Sequence, residues 1–286
     1  MNRVKNNLPT LLRYFLVVWS ALSAFASLWL SFLTWDDMGI VSKAVRVLIL
    51  LAMASVAIVS ATITVIARKQ KRIFGDPNRG VILQYGDILK IGFPKKSVPK
   101  RIVVIPVNRC FDLSFENGLV SRKTVHGQWI ESFIRSDKDR DQVSADIQEF
   151  LLDKGAMFNE LTPAQKKAGN LKRYSPGTVV ELEGQDGITF YLLALSAFDQ
   201  NLKAHCSEHE FFEALQGLVE YYDAHGQGED MYCPVMGDHI VRPTRETNDM
   251  ISLILSFLRF NKGRIHGNIH LVVYEKMKGD VPILRY

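Results

Sequence analysis

Polar side chains and glycines occur together in four short segments whose residue types suit ligand binding. These segments are Gly86–Ile88, Ile105–Asn108, Val125–Ile130 and Cys233–His239. A carboxylate such as Asp87 accepts hydrogen bonds from amino groups, and a carboxamide such as Asn108 both donates and accepts them. Glycine allows close approach of backbone amides, which bind phosphate well at a helix N-terminus. The four segments therefore offer candidate groups for binding a ligand, and a carboxylate such as Asp87 would repel a phosphate.

The cysteines and histidines do not form a recognisable metal site. There are three cysteines, Cys110, Cys206 and Cys233, and this odd number without paired spacing does not indicate a disulfide framework. The segment HCSEH, residues 205–209, has two histidines and a cysteine, but no second pair with ligand spacing accompanies it. We therefore expect reduced thiols and no bound metal.

Two uncharged stretches near the start of the chain are long enough to cross a bilayer. They run from Tyr14 to Trp35 and from Val47 to Ala67, and a transmembrane helix needs about 20 apolar residues. A cleaved signal peptide is the alternative for the first stretch, but it lacks a short apolar region with a small-residue cleavage site. We expect a membrane hairpin over residues 1–72, with spans at about 14–35 and 47–67.

Charge and small residues suggest how the hairpin is arranged. The chain has a formal net charge of +5, and much of the positive excess flanks the two spans, so it favours a membrane more than a nucleic acid. The positive-inside tendency places both ends of the hairpin in the cytoplasm. Small residues at four-residue spacing, including Ser23, Ser27, Ala57 and Ala61, permit close helix contact. That contact fits either self-association or packing within one hairpin.

Beyond Arg72 the pattern changes to short strands that alternate with helices, which predicts a partly parallel sheet covered on both faces. We expect a tight turn at Gly86–Asp87 between two strands, and a hairpin over residues 177–196. Ser207 and Glu210 form a capping-box pattern at the start of a helix. The sequence thus predicts an α/β domain over residues 73–286, and charged residues at 23% argue against disorder.

Ligand sites in such sheets lie beyond the carboxyl ends of the strands. The buried strand RIVVIPV, residues 101–107, ends on Asn108, and the strand before Gly237 ends in the same way. We therefore expect Asn108 and Gly237 to face one crevice, joined by the turn at Asp87.

These segments resemble the macro domain, an α/β module that binds ADP-ribose and related nucleotides. By this resemblance, Asp87 with the amide of Ile88 contacts the adenine, and Asn108 contacts the distal ribose. The segment VHGQWI matches the first phosphate loop, which implies that Val125, His126, Gly127 and Gln128 bind phosphate. The segment CPVMGDH matches the second phosphate loop, and the resemblance implies binding by the residues at its end. Those residues are Gly237, Asp238 and His239.

The whole arrangement is similar to the membrane-anchored macro-domain effectors of the type II Thoeris antiviral system of bacteria. This resemblance implies a partner protein with a TIR domain, which makes histidine-ADP-ribose from NAD during phage infection. The macro domain would bind that signal without further cofactor, form homo-oligomers and disrupt the membrane. It also implies a multi-pass protein of the inner membrane, with both termini and the macro domain in the cytoplasm and no nucleic-acid partner.

Two departures from the family pattern concern the pocket. Asp238 and His239 stand where the second loop normally has threonine and glycine, and the first loop lacks its glycine run. We predict that Asp238 or Asp112 pairs with an imidazole or amine of the ligand, and that Phe111 stacks on a ribose or base.

Two other functions compete with that of a ligand-gated effector. One is a membrane-tethered ADP-ribosyl hydrolase, and the other is a structural membrane protein without a ligand. A hydrolase needs a positioned acid, base or activated water, and the sequence offers no such set beyond Asn108, Asp112 and His126. We therefore expect a receptor that is not an enzyme.

Overall fold

The structure is a computed structural model that describes residues 7–31, 38–39, 42–237 and 246–286. The chain separates into two compact units. The first comprises Met1–Lys71 with Lys276–Tyr286, and the second comprises Arg72–Glu275. The sequence predicted one boundary at residue 72 and placed the C-terminal residues in the second unit. Within the first unit, Lys71 Nζ donates hydrogen bonds to the Leu284 carbonyl at 2.9 Å and to the Tyr286 backbone oxygen.

The first unit contains two long apolar helices, α1 (Leu8–Leu30) and α2 (Lys43–Ala67). Both start before the predicted spans, and the described part of α1 ends before Trp35. Their mean hydropathies of 1.6 and 2.5 and their lengths are sufficient to cross a bilayer. The helices contact each other, and Ala57 and Ala61 are fully buried. Of the two explanations for the four-residue spacing of small residues, this burial agrees with packing of the two helices within one hairpin.

The second unit is built on a mixed sheet with strand order β1-β2-β10-β9-β3-β7-β6, and β8 pairs with β7. Strands β2, β10, β9, β3 and β7 run parallel to one another, while β6 and β8 are antiparallel to β7. A separate two-stranded ribbon joins β4 and β5. The strands are β1 (Gln70–Gly75), β2 (Gly80–Gly86), β3 (Arg101–Asn108), β4 (Phe158–Glu160), β5 (Lys172–Tyr174), β6 (Val179–Glu183), β7 (Ile188–Phe198), β8 (Ala204–His205), β9 (Asp230–Pro234) and β10 (Asn268–Tyr274).

Helices connect the strands of this sheet. They are α3 (Ile88–Gly92), α4 (Val125–Phe133), α5 (Asp137–Asp153), α6 (Glu208–His225) and α7 (Thr247–Phe260), with short 3-10 turns at Glu116–Gly118, Lys262–Arg264, Glu275–Gly279 and Ile283–Arg285. The predicted mixed α/β sheet flanked by helices is therefore confirmed.

Two of the three local elements predicted from short sequence signals are present in the structure. The predicted hairpin is present as the antiparallel pair β6 and β7, and Ser207 with Glu210 forms the predicted capping box of α6. The strand predicted after Gly86–Asp87 is wrong, because this segment forms α3 instead. The Asp87 side chain accepts a hydrogen bond of 3.1 Å from the Leu89 amide and so caps that helix.

The core that supports the site lies between the sheet and α4. Trp129 and Ile130 of α4 are at most 1% exposed and pack into one apolar cluster with Ile105 and Val107 of β3. The Trp129 ring also meets the Phe190 ring edge-on at 6.0 Å. This packing fixes α4 against β3 and β7.

Candidate functional site

A pocket of about 350 Å³ opens at the carboxyl ends of β3, β7 and β9. Three segments form its walls: the end of β3, the loop that leads into α4, and the loop after β9. The end of β7 closes it with apolar side chains. Its polar lining residues are Asn108, Ser121, Thr124, His126 and Ser196, and its other residues include Leu119, Val120, Val125, Leu195, Phe198, Leu202, Pro234, Met236 and Gly237.

Asn108 is turned toward this pocket by a register shift at the end of β3. Val107 pairs with Ala194, whereas Asn108 pairs with Ser196, so one residue of β7 is skipped. The Asn108 Oδ1 atom accepts hydrogen bonds from the amides of Cys110 (3.0 Å) and Asp112 (3.3 Å). Its Nδ2 is buried and has no partner in the described part of the chain. A buried amide group without a partner is costly, so Nδ2 is available for a ligand acceptor.

Two ion pairs hold the loop that follows Asn108. The Arg109 guanidinium contacts Glu210 Oε1 at 2.6 Å, and its Nε donates to the Tyr174 carbonyl at 2.8 Å. On the other side, Lys166 Nζ lies 2.7 Å from Asp112 Oδ2. The loop is therefore fixed at both ends, which limits the movement of the Asn108 carboxamide.

Asp112 is fully engaged inside the chain. Its Oδ1 accepts the Asn170 amide at 2.7 Å, its Oδ2 meets Lys166, and the residue is 2% exposed. Asp112 is not among the residues that line the pocket. Its predicted contact with the ligand remains a prediction, and the geometry gives it the task of holding the loop.

The N-terminus of α4 supplies free backbone amides to the pocket. Thr124 caps the helix, because its Oγ1 accepts from the Gly127 amide at 3.1 Å. The amides of Val125 and His126 precede the first intrahelical bond and have no partner among the described residues. Such amides, with the positive end of the helix dipole, form a favourable place for an anion.

His126 contributes a buried neutral imidazole. The residue is 6% exposed, and its Nε2 has no hydrogen-bond partner in the described ranges. Burial lowers the pKa of His126 from 6.5 to about 3, because the enclosed ring cannot hydrate a positive charge. At neutral pH, His126 is therefore a hydrogen-bonding group without charge.

The buried state of His126 predicts a pH dependence of stability. The folded chain keeps the ring neutral while the unfolded chain takes up a proton below pH 6.5, so stability falls as the pH falls from 6.5 toward 3. Between pH 6.5 and about 5 this amounts to roughly 2 kcal/mol, or a decrease in Tm of about 4–8 °C. We expect His126→Gln to flatten this decrease, measured by thermal unfolding of the full chain by circular dichroism. The matched control is His209→Gln, which removes an exposed histidine; an equally steep decrease in both variants would contradict the assignment.

The loop after β9 depends on the backbone conformation of Gly237. Its φ of +92° favours glycine, and a Cβ there would lie 2.6 Å from Met250 Cε and 2.7 Å from Phe211 Cε2. Gly237 lines the pocket through its backbone. The predicted contacts of Asp238 and His239 lie outside the described residues.

Asp87 and Ile88 lie at the same edge of the sheet but outside the pocket lining. Asp87 follows β2, which is separated from β3 by β10 and β9. Three strand spacings correspond to about 14 Å. Ile88 is 6% exposed and belongs to the apolar core. The predicted adenine contact of Asp87 therefore requires a ligand that extends from the pocket along the sheet edge.

Three other predicted contacts also lie outside the pocket lining. Phe111 is 2% exposed, has a φ of +52° and meets the Tyr174 ring edge-on at 5.6 Å. Gly127 allows α4 to approach the preceding loop, since a Cβ there would lie 2.2 Å from the Ser121 carbonyl oxygen. Gln128 donates to the Lys123 carbonyl at 3.1 Å. In the structure these residues contact the segments around the pocket, and their predicted contacts with the ligand stay predictions.

The pocket combines hydrogen-bond donors with an apolar wall and has no charged side chain among its described lining residues. An anionic group would therefore be bound by backbone amides and the Asn108 carboxamide. The sequence reading missed Ser121, Thr124 and Ser196. A threonine directly before an apolar helical segment is an N-cap signal that could have identified Thr124.

Sequence comparison identifies relatives of this chain. The family described as "Thoeris protein ThsA, Macro domain" matches residues 81–274. Thoeris protein ThsA of Bacillus amyloliquefaciens (strain Y2) is 22% identical over 185 residues, which cover 64% of this chain and 57% of that protein. The match thus spans little more than half the length of this curated relative.

Solved structures with a similar arrangement include two macrodomain structures from Oceanobacillus iheyensis. One is a mutant with ADPR, at 10% identity and a TM-score of 0.47, covering 76% of this chain and 95% of that chain. The other is described with ADP, at 11% identity and a TM-score of 0.46, covering 76% of this chain and 93% of that chain.

Proposed function

This chain belongs to the ThsA macro-domain family of Thoeris proteins, and from that premise we propose that its pocket is the receptor for an ADP-ribose-derived signal. The observation that carries the proposal is the buried, unpartnered Nδ2 of Asn108 beside the free amides of α4. These donors belong to residues that line one pocket, and the described lining residues include no charged side chain. An ADP-ribose derivative offers the hydroxyls and phosphate oxygens that such donors need.

The arrangement supports a specific orientation of the ligand. The pyrophosphate would accept hydrogen bonds from the Val125 and His126 amides, and a distal ribose hydroxyl would accept from Asn108 Nδ2. The apolar residues Phe198 and Leu202 leave room for a distal substituent. In our proposal that substituent is the imidazole of histidine-ADP-ribose, which a TIR-domain partner would produce.

Binding without turnover is the version of this function that we favour. His126 has a pKa of about 3, so it is a weak base at neutral pH. Asp112 has both carboxylate oxygens paired within the chain. An ADP-ribosyl hydrolase would need a different base, and the described pocket lining contains no carboxylate.

The two apolar helices support a membrane anchor, and a ligand-driven assembly of anchored chains would disrupt the bilayer. Ligand drives assembly only if it binds the assembled state better. Raising an assembled fraction from one in a hundred to ninety-nine in a hundred needs about 5.5 kcal/mol of preference. The same arrangement would place the protein in the bacterial inner membrane with its macro domain in the cytoplasm.

Calorimetry on the full chain in lipid nanodiscs tests the proposal. The titrants are ADP-ribose, histidine-ADP-ribose and NAD, and chromatography of the same samples tests for hydrolysis. We expect tightest binding of the histidine conjugate, no product, and a larger assembly by light scattering of detergent-solubilised protein with ligand. Absence of binding to all three titrants would refute the receptor function, and stoichiometric release of product would establish the hydrolase instead.

A further inference from the structure

A second cavity lies at the opposite edge of the sheet from the pocket. It has a volume of about 590 Å³ and is bounded by the turn between β1 and β2 and by the end of α7. The residues that line it are Phe74, Gly75, Asp76, Arg79, Gly80, Arg259, Lys262, Gly263 and Ile265. Nothing in the proposed nucleotide site uses these residues.

The cavity has an excess of positive charge that the chain itself does not neutralise. Arg79, Arg259 and Lys262 contribute three cations and have no ion-pair partner among the described residues. Arg79 donates to the carbonyls of Lys262 (3.3 Å) and Gly263 (3.2 Å) through one guanidinium nitrogen, Nη2. Its Nη1 and Nε have no partner among the described residues and can donate to a ligand.

The one acid among the described cavity residues uses a carboxylate oxygen to hold the turn, so the three cations leave a net positive charge. Asp76 Oδ1 accepts hydrogen bonds of 3.0 Å from the amides of Asn78 and Arg79, which fixes the turn. Arg259 lies over the Phe74 ring, 5.6 Å from its centroid. This contact holds the guanidinium at the cavity wall while leaving its charge uncompensated.

An exposed aromatic side chain accompanies these cations. Phe260, the last residue of α7, is 89% exposed and directly follows Arg259. At a membrane surface, arginine and lysine are attracted to anionic headgroups, and phenylalanine enters the boundary between headgroups and acyl chains. An exposed phenylalanine beside unpaired cations therefore suits contact with lipid. Along the chain, Phe74 follows Ala67, the last residue of α2, by only seven positions.

We propose that this cavity is a phosphate site that binds the headgroup of an anionic phospholipid. Arg79, Arg259 and Lys262 pair with the headgroup phosphate, and Phe260 enters the interface beside it. The site rests on the membrane anchor proposed above, but it does not require the nucleotide pocket. Failure of one site therefore leaves the other testable in the same preparation.

Native mass spectrometry of the full chain tests the site. The chain is released from micelles that contain phosphatidylglycerol and phosphatidylcholine in equal amounts, and the retained lipids are identified. We expect preferential retention of phosphatidylglycerol by the wild type. Because each cation near an anionic surface contributes about 1 kcal/mol, the preference should fall about fivefold for each of the changes Arg79→Gln, Arg259→Gln and Lys262→Gln.

The matched control removes the same number of charges elsewhere. Lys95, Lys96 and Lys100 are exposed and lie outside the cavity, so changing all three to glutamine should leave the preference unchanged. The proposal would be overturned if this control lost as much preference as the variant in which Arg79, Arg259 and Lys262 are all changed to glutamine, or if the wild type retained both lipids equally. If inorganic phosphate displaces phosphatidylglycerol from the wild type at a concentration similar to that of the lipid, the site binds soluble anions and the assignment to lipid is wrong.

Discussion

Lys166→Met should lower the free energy of unfolding by about 3–5 kcal/mol, the range seen when one partner of a buried ion pair is removed. Lys166 is 0% exposed, and its Nζ contacts Asp112 Oδ2 at 2.7 Å and the Asn170 carbonyl at 2.6 Å. Without it, the Asp112 carboxylate stays buried with only the Asn170 amide as partner. The expected decrease in Tm is at least roughly 6 °C for a domain of this size, measured by thermal unfolding of the full chain in detergent.

The pH dependence of stability in the Lys166→Met variant distinguishes the loss of the lysine charge from the loss of its packing contacts. Burial raises the pKa of Asp112, while Lys166 and the Asn170 amide counteract that effect. Removal of Lys166 leaves burial dominant, so the carboxyl group of the variant is protonated more readily. Compared with the wild type at the same pH, the variant should therefore show its largest loss of stability at neutral pH, and this difference should shrink as the pH falls through the raised pKa.

The control is the adjacent exposed lysine, since Lys167→Met removes the same charge from solvent. A double change of Lys166→Met with Asp112→Leu should recover part of the loss, because an apolar pair can replace a buried ion pair. The assignment fails if the Lys166 and Lys167 variants have equal Tm values.

Asn108→Asp should weaken binding of ADP-ribose derivatives by about 100-fold, or about 2.7 kcal/mol. Aspartate has the same shape and keeps the oxygen that accepts from the Cys110 and Asp112 amides. It replaces the unpartnered Nδ2 donor with an oxygen that repels phosphate and ribose oxygens. Calorimetry with the full chain in nanodiscs measures the change at a temperature below the Tm of the variant, because an added buried carboxylate also lowers stability.

Asn159→Asp is the matched control, because Asn159 is exposed on β4, outside the pocket lining. It makes the same chemical change and should leave affinity unaltered. Undiminished affinity of the Asn108 variant would show that the free amide does not face the ligand.

The elements around the pocket were largely predictable from local sequence signals. The apolar strand that ends on Asn108, the hairpin of β6 and β7, and the capping box at Ser207 each depend on neighbouring residues, and the structure contains them. The segment after Gly86 was misread because Asp87 serves as a helix cap, a role that its turn-like sequence does not distinguish.

Contacts between distant residues were not predictable in this way. Lys166 and Asp112 are 54 positions apart, and the sequence around Lys166 carries no sign of burial. The prediction that Asp112 contacts the ligand also could not take into account its contacts with Lys166 and Asn170. The bulge that shifts Asn108 against β7 likewise depends on pairing between two strands.

The Glu210 side chain takes part in both a helix cap and an ion pair. One of its oxygens accepts from the Ser207 amide at 2.8 Å and so begins α6, while the other holds Arg109 beside the pocket. The 18 residues of α6 extend over about 27 Å, and Glu220 near its far end binds Arg264 at 2.9 Å, two residues from Lys262. One helix thus carries an ion pair beside the pocket near its first turn and a second ion pair, close to the basic cavity, near its other end.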